Sequence, residues 1–206
     1  MKIQFIIGVI FALSITLSTV NADTNFKSRH VICVSGGMKL NSSTSTTVST
    51  EKISTETAMI GSIGYEFLFD EYWSINLSLG IFSAESNVSF TGISNISITN
   101  FLVGVRYYPD FLRVGSVGRS YAGLNIGGFV GSGSQQTIGP IYVGVGSVSE
   151  NRFGGQFSVG MDFTLSTWLK IGPMISYYFM SDFEKLIGQS KNYSGPALSL
   201  NFGVLL

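Results

Sequence analysis

Hydrophobic and polar residues alternate with a period of two along most of this chain. In the clearest stretch, residues 151–179, bulky side chains such as Phe153 and Phe157 occupy odd positions, and small or polar residues lie between them. This is the period of a β-strand whose two faces meet different surroundings. The alternation breaks at Ser166-Thr167 and resumes from Leu169, which predicts a hairpin of two long strands joined by a tight turn.

The same alternation recurs elsewhere, so the sequence predicts eight strands of roughly ten residues, the length that a tilted strand needs to cross a bilayer. They run over about 30–40, 58–69, 73–82, 98–108, 121–130, 151–165, 169–179 and 193–206. Four long segments alternate with three short connections and are predicted to be loops, and the first of them, rich in Ser and Thr, is predicted to be solvated. These segments are 41–56, 84–97, 131–150 and 180–191.

The two faces of the predicted strands differ in an unusual way. One face is bulky and apolar, and the other consists mostly of Gly, Ser, Ala and Asn. A soluble sheet would instead show Lys and Glu to water. We therefore predict that the bulky face contacts lipid and that the small polar face lines a narrow lumen.

Pro173 falls inside the seventh strand, where its missing backbone donor predicts a bulge or irregular pairing.

The first residues indicate export. Lys2 is followed by an apolar run to about Val20 and by a small-residue ending at Ala22. This layout is typical of a secretory signal peptide, and an uncleaved membrane anchor is the alternative. We predict a signal peptide at 1–22 and a single barrel domain at 23–206.

Composition restricts where an exported chain of this kind can reside. Hydrophobic residues make up 45% of the chain and charged residues only 12%, yet no later run approaches the ~20 apolar residues of a spanning helix. Lipid accepts only helices and closed barrels, which predicts a β-barrel in a bacterial outer membrane.

Lys plus Arg equals Asp plus Glu at 12 each, so no basic surface for nucleic acid is expected. Cys33 is the only cysteine, which excludes an intramolecular disulfide.

Several stretches resemble the small bacterial outer-membrane β-barrels of the OmpA and OmpX type in their glycine and aromatic patterns. They are FLVGVRYYP (101–109), SYAGLNIGGFVG (120–131), residues 153–179 and the closing ALSLNFGVLL (197–206). The resemblance implies an all-β, eight-stranded antiparallel up-and-down transmembrane barrel with short periplasmic turns. It also implies a monomer whose partners are outer-membrane lipids and whose long loops meet the environment.

Aromatic residues near the short connections are predicted to form a periplasmic interfacial girdle. They are Tyr65, Phe67, Phe69, Tyr72, Trp73, Tyr107, Tyr108, Phe163 and Trp168. A second set is predicted to form the outer girdle. It comprises Phe129, Phe153, Tyr177 and Phe179.

Four charged residues near the short connections fall on the lumen face: Glu66, Arg106, Asp162 and Lys170. Two acids and two bases can neutralise one another. The hypothesis is a buried ionic plug with Arg106 as its bidentate centre. The alternative is that some of these side chains are wetted at the barrel mouth.

Catalysis is not expected. Outer-membrane barrels that are enzymes, such as the omptin proteases, use a histidine near the outer rim, whereas His30 is the only histidine and begins the first strand at the periplasmic end. The Gly131-Ser132-Gly133 pattern lacks the helix and lysine of a phosphate-binding loop. We predict no catalytic, cofactor-binding or metal-binding residues.

The leading functional hypothesis is a structural or surface-exposed barrel whose outer loops meet a host cell or neighbouring cell, as an antigen, adhesin or defence factor. The alternative is transport, through a narrow porin-like channel or by a lateral path for a small hydrophobic molecule. A soluble lipocalin-like barrel is a third hypothesis. It would need the apolar face turned inward, which would leave an outer surface almost without charge.

Overall fold

A computed structural model describes residues 30–47, 50–88, 92–115, 117–138, 143–185, 187 and 190–206. The predicted signal peptide at 1–22 lies outside these residues. Within them, eight long strands close into an antiparallel barrel, as predicted, and a two-residue strand pairs with the end of one of them. The strands are β1 (His30–Thr47), β2 (Thr50–Leu68), β3 (Trp73–Val88), β4 (Gly92–Tyr107), β5 (Arg113–Val114), β6 (Gly118–Ile138), β7 (Val143–Thr164), β8 (Leu169–Met180) and β9 (Gly195–Leu205). No helix among the described residues is long and apolar enough to cross a membrane.

The ring closes because β1 pairs with β9 and β4 pairs with β6. A path through paired Cα atoms that leaves β2 at Leu68 returns to β2 ten residues away, at Ala58. The path is Leu68, Ser74, Arg106, Gly123, Ser158, Ser176, Ala197, Lys39 and Ala58. A stagger of this kind accompanies strands tilted by roughly 35–45° to the barrel axis. Residues that meet inside the lumen therefore come from very different places in the sequence.

The predicted orientation of the two faces is confirmed. Met59 is 72% exposed and Leu198 is 57% exposed, whereas their sequence neighbours Ala58 and Ala197 are buried. The apolar side of each strand forms a continuous outer belt. We call the end with connections 69–72, 108–117 and 165–168 the short-connection end, and the opposite end the loop end.

Three segments that were predicted to be loops consist, in their described parts, of strands. Residues 41–47 with 50–56, 84–88 with 92–97, and 131–138 with 143–150 continue the hairpins β1–β2, β3–β4 and β6–β7. The last pairs of these ladders are Thr47↔Thr50, Val88↔Gly92 and Ile138↔Val143. A composition rich in Ser and Thr indicates contact with water, but the two strands of a hairpin still satisfy each other's backbone groups. The eight long strands are consequently 11 to 22 residues long rather than about ten.

The irregular pairing predicted near Pro173 is present between β7 and β8. The ladder skips the positions of Gly172 and Pro173 and resumes at Phe163↔Ile171 in the same register. Pro173 has no backbone N–H to donate. Because the register is unchanged, the interruption contains no extra residue and is not a bulge.

Most of the predicted girdle aromatics lie on the outer surface at the short-connection end, exposed or half-buried. They are Tyr65, Phe67, Phe69, Tyr72, Trp73, Tyr107, Phe163 and Trp168. Tyr108 was assigned to this girdle wrongly, since it shares the inward face with Arg106 and is 2% exposed. Phe129 was assigned to the outer girdle wrongly, because it shares the inward face of β6 with Asn125 and is fully buried. The other predicted outer aromatics, Phe153, Tyr177 and Phe179, are exposed.

Candidate functional site: the lumen

The four charges predicted to face inward meet near the short-connection end of the lumen. Lys170 Nζ lies 2.8 Å from Glu66 Oε2 and 2.7 Å from Asp162 Oδ2. Arg106 Nη1 lies 3.3 Å from the same Glu66 oxygen. Glu66, Asp162 and Lys170 are buried, and the Arg106 side chain is 13% exposed. These four residues form the ionic cluster.

Glu66 and Lys170 are the centre of the ionic cluster, and the predicted bidentate role of Arg106 is wrong. Arg106 contacts one carboxylate through one nitrogen, and its guanidinium lies over the Tyr121 ring at 4.6 Å from the centroid. Lys170 instead bridges two carboxylates, because β8 places it beside Asp162 on β7 and across the lumen from Glu66. The flexible ammonium can contact both, whereas the guanidinium stacks on an aromatic face.

Ser74 and Tyr108 complete the ionic cluster, although the sequence analysis did not include them. Each hydroxyl donates to Glu66 Oε1 at 2.6 Å, and the Tyr108 hydroxyl also lies 3.2 Å from Asp162 Oδ2. These donors satisfy a carboxylate that burial would otherwise penalise. The signal was available, because Tyr108 follows Arg106 by two residues and a period of two places both on one face.

Lys39 and Arg119 are further inward charges that the sequence analysis missed. Lys39 is 0% exposed, and its Nζ lies 5.4 Å from the centroid of the Phe82 ring. Arg119 is buried at the short-connection end, where it donates to the carbonyl of Glu71 and lies over the Tyr108 ring. Both residues fall on the inward face of their strands by the same alternation, so strand period was again the usable signal.

The middle of the lumen is polar and narrow, as predicted. Asn125 Nδ2 donates to Gln156 Oε1 at 2.9 Å, and Asn201 Nδ2 donates to the Tyr121 hydroxyl at 3.0 Å. A small cavity lies among these groups. Its lining also includes Ser35, Ser62, Asn76, Ser78 and Asn100. Carboxamide and hydroxyl groups are thus concentrated between the ionic cluster and the loop end.

The loop end of the lumen is filled by large apolar side chains, which corrects the prediction of a uniformly small polar interior. Phe82, Ile98, Leu102, Phe129 and Tyr178 pack inward there with other buried residues. Alternation distinguishes the two faces of a strand, but it does not show whether the inner face is shielded from water at one end. That shielding depends on the extended hairpins and on the β8–β9 connection.

Three described side chains of the β8–β9 connection (181–194) pack into this apolar space, although a long loop was predicted at 180–191. Among its described residues, Phe183, Ile187 and Tyr193 are 1%, 0% and 4% exposed. They belong to the same buried cluster as the inward side chains of the strands. We call these three residues the loop plug. In the described part of the connection, these three buried side chains fill the loop end of the lumen.

Two charged residues of β7 hold the loop plug in place. The Glu150 carboxylate accepts the backbone N–H of Glu184 at 2.8 Å and that of Lys185 at 3.0 Å. Arg152 Nε donates to the Asp182 carbonyl at 2.7 Å, and its Nη2 lies 3.1 Å from the Glu184 carboxylate. Charge-assisted bonds of this kind are stronger than bonds between neutral groups. They fasten the backbone of the connection to the barrel rim.

Solved structures share this architecture at low sequence identity. Neisserial surface protein A (NspA) has a TM-score of 0.55 and 11% identity, over 86% of this chain and 96% of that one. Ail, the attachment invasion locus protein of Yersinia pestis, has a TM-score of 0.52 and 12% identity, over 85% and 99%. OprG from Pseudomonas aeruginosa has a TM-score of 0.54 and 12% identity, over 89% and 98%.

This chain has the fold of the small outer-membrane β-barrels. No family model and no curated protein matches it. At identities this low, the likeness concerns the fold, and what this barrel does must be argued from its own lumen and surface.

In this outer-membrane barrel fold, His30 lies on the rim at the short-connection end. Its Nδ1 is 2.5 Å from the Tyr65 hydroxyl, and its ring stacks on the Tyr65 ring. The loop plug occupies the opposite end of the barrel. His30 therefore lies beside the aromatic girdle, at the rim opposite to the loop plug.

Proposed function

We propose that the protein is an integral, monomeric protein of a bacterial outer membrane that presents structure at the cell surface and neither conducts solutes nor catalyses a reaction. The observation that carries this proposal is the loop plug, which fills the loop end of the lumen with buried apolar side chains. The outer belt of exposed apolar residues and the fold support the membrane placement.

A solute crossing this lumen would meet two different barriers. At the loop end, a hydrated ion would have to displace Phe183 and Ile187 or give up its water in an apolar space. Near the short-connection end, it would have to separate the paired charges of the ionic cluster. This geometry supports the proposal that the ionic cluster, formed by Glu66, Arg106, Asp162 and Lys170, blocks the lumen. A hydrophobic solute would also find the apolar mouth occupied by the chain itself.

The outer part of the molecule supports surface presentation. The β1–β2 ladder continues to Thr47↔Thr50, although β1 pairs with β9 only as far as Lys39↔Ala197. The β3–β4 and β6–β7 hairpins also extend, and β4 pairs with β6 as far as Ser94↔Gln135. Hydrogen-bonded β-ribbons therefore project from the loop end. Such a ribbon presents a defined surface to a host cell or neighbouring cell, as expected of an adhesin, antigen or defence factor.

Thiol labelling on intact bacterial cells tests the membrane placement and its orientation. In a Cys33→Ser background, Lys185→Cys places a thiol in the exposed part of the β8–β9 connection, and Thr167→Cys places one in a short connection. A membrane-impermeant maleimide should label position 185 on intact cells and position 167 only after the outer membrane is permeabilised. Labelling of position 167 first, or of both positions on intact cells, would contradict the proposal.

Planar-bilayer recordings test the closed lumen. The purified barrel, refolded and inserted, should show no defined single-channel openings, because both barriers are in place. Reproducible conductance steps from the unmodified protein would instead favour the alternative of a narrow channel. The labelling result is independent of this outcome, so an open lumen and a wrong membrane placement can be told apart.

A further inference from the structure

The connection between β4 and β6 carries apolar residues that neither the ionic cluster nor the loop plug uses. It contains a single 3₁₀ turn, Asp110–Leu112, followed directly by β5. Phe111 is 82% exposed, Leu112 is 48% exposed and Val114 is 49% exposed. We call these three side chains the apolar finger. A phenyl ring this exposed is unfavourable in water unless something covers it.

The 3₁₀ turn lies against the outer wall of the barrel and not beneath the lumen. The Ser120 hydroxyl donates to the Leu112 carbonyl at 2.9 Å. Ser120 shares its face of β6 with Leu124 and Ile126, which are about half exposed and belong to the outer belt. The hydrogen bond therefore anchors the turn on the lipid-facing side of β6.

The apolar finger continues the aromatic girdle. A Cβ atom placed on Gly118 would lie 3.0 Å from Val114 Cβ and 3.2 Å from Phe163 Cε1, so these two side chains meet over that glycine. On the other side, β4 ends with Tyr107, whose ring centroid lies 4.8 Å from that of Trp73. Girdle residues thus flank the finger on both sides at the same end of the barrel.

The charges beside the apolar finger are paired with each other. Asp110 Oδ1 lies 2.7 Å from Arg113 Nη2, and the Tyr72 hydroxyl also bonds to Asp110. This arrangement keeps the carboxylate next to the barrel, while Phe111 projects away from it. A neutralised polar base below an apolar tip suits the boundary between headgroups and acyl chains.

We propose that the apolar finger inserts into the interfacial zone of the phospholipid leaflet at the short-connection end and anchors that rim of the barrel. The inference rests on the proposed membrane placement. Lipid suits this surface better than a protein partner, because the finger is continuous with the outer belt of exposed apolar side chains. Arg113 lies where a lipid phosphate can accept its remaining N–H groups.

Quenching of tryptophan fluorescence by brominated phospholipid tests this inference. The starting protein carries Trp73→Phe and Trp168→Phe, and Phe111→Trp then adds a single reporter at the finger. Phe111 is 82% exposed, so this substitution leaves the fold undisturbed. Asp70→Trp in the same background is the matched control in a neighbouring short connection, and Trp168→Phe alone retains Trp73 as the belt reporter. Each protein is refolded into vesicles of phosphatidylcholine brominated near the headgroup end of its acyl chains.

The expected result is that the reporter at position 111 is quenched by bromine to a similar extent as Trp73, while the reporter at position 70 is quenched by aqueous iodide. If Trp73 is quenched by bromine but position 111 responds only to iodide, the finger lies in water or against protein and this inference is overturned. If bromine quenches neither, the membrane placement itself is wrong.

Discussion

Lys170 is the residue on which the ionic cluster depends most, because its ammonium contacts both buried carboxylates. Lys170→Met should lower the free energy of unfolding by ~3–5 kcal/mol, since Asp162 would lose the cation that it pairs with and Glu66 would keep only Arg106. Arg106→Ala should have a smaller effect, because Arg106 forms one ion pair, at 3.3 Å, and its side chain is 13% exposed. Urea unfolding in phospholipid vesicles, followed by tryptophan fluorescence, measures these changes.

Two further variants decide whether such a loss comes from uncompensated charge. Lys191→Met removes an exposed ammonium and should change the free energy of unfolding by less than about 0.5 kcal/mol. Lys170→Met combined with Asp162→Asn should be more stable than Lys170→Met alone, because the second carboxylate is neutralised. Similar small effects for Lys170→Met and Lys191→Met would show that the ionic cluster does not stabilise the barrel.

At the scale of an element, the position of the β8–β9 connection depends on Gly131, because the missing side chain there leaves space for Phe183 and Ile187. A Cβ atom at Gly131 would lie 2.7 Å from Phe183 Cζ and 3.2 Å from Ile187 Cγ1, and both of those side chains are buried. Gly131→Val should therefore weaken the loop plug by ~1–3 kcal/mol through overpacking. Trypsin should then cleave the folded barrel faster after Lys185 or Lys191. A loss of ~1–2 kcal/mol in the stability of the loop plug should raise the cleavage rate by about 5- to 30-fold.

Gly128→Val is the control for this prediction. A Cβ atom at Gly128 meets nothing within 4 Å, because this glycine faces outward on the same strand. Its cleavage rate should match that of the unsubstituted protein. Equal rates for all three proteins would mean that Phe183 and Ile187 do not hold the connection in the mouth.

At the scale of the whole molecule, a closed ring and an apolar outer belt predict characteristic behaviour in detergent. Within the outer belt, each long strand is hydrogen-bonded to a neighbouring strand on both sides. Sodium dodecyl sulfate therefore meets no free strand edge from which it could unfold the sheet. The protein should require detergent for extraction and should migrate faster on gels before boiling than after. A chain that is monodisperse in water without detergent would contradict the membrane placement and favour the soluble barrel.

Strand faces could be predicted from the sequence because they depend on neighbours in the chain. The alternation placed Met59 and Leu198 outside and Glu66 inside without any tertiary information, and the structure agrees. The errors arose where composition was used in place of alternation. Segment 41–56 is rich in Ser and Thr and was predicted to be a loop, yet its described residues, 41–47 and 50–56, continue a hairpin. Phe129 was assigned outward for its aromatic ring, although its position in the alternation is inward.

The partners inside the lumen required the tertiary structure. Glu66 and Lys170 are separated by 104 positions in the chain, and their contact depends on the stagger of the closed barrel. The loop plug was equally inaccessible, because the β8–β9 connection has no periodic pattern. Phe183 and Ile187 become buried because they pack against inward apolar side chains of the described strands at the loop end.

The sequence by itself determined the strands, the side of each that faces outward, and therefore the class of barrel, because a period of two is a local property of the backbone. Tertiary structure alone decided which charges pair, how far the hairpins rise and whether the lumen is open. Those features depend on register and closure, which bring distant residues together and which no short stretch of the chain encodes.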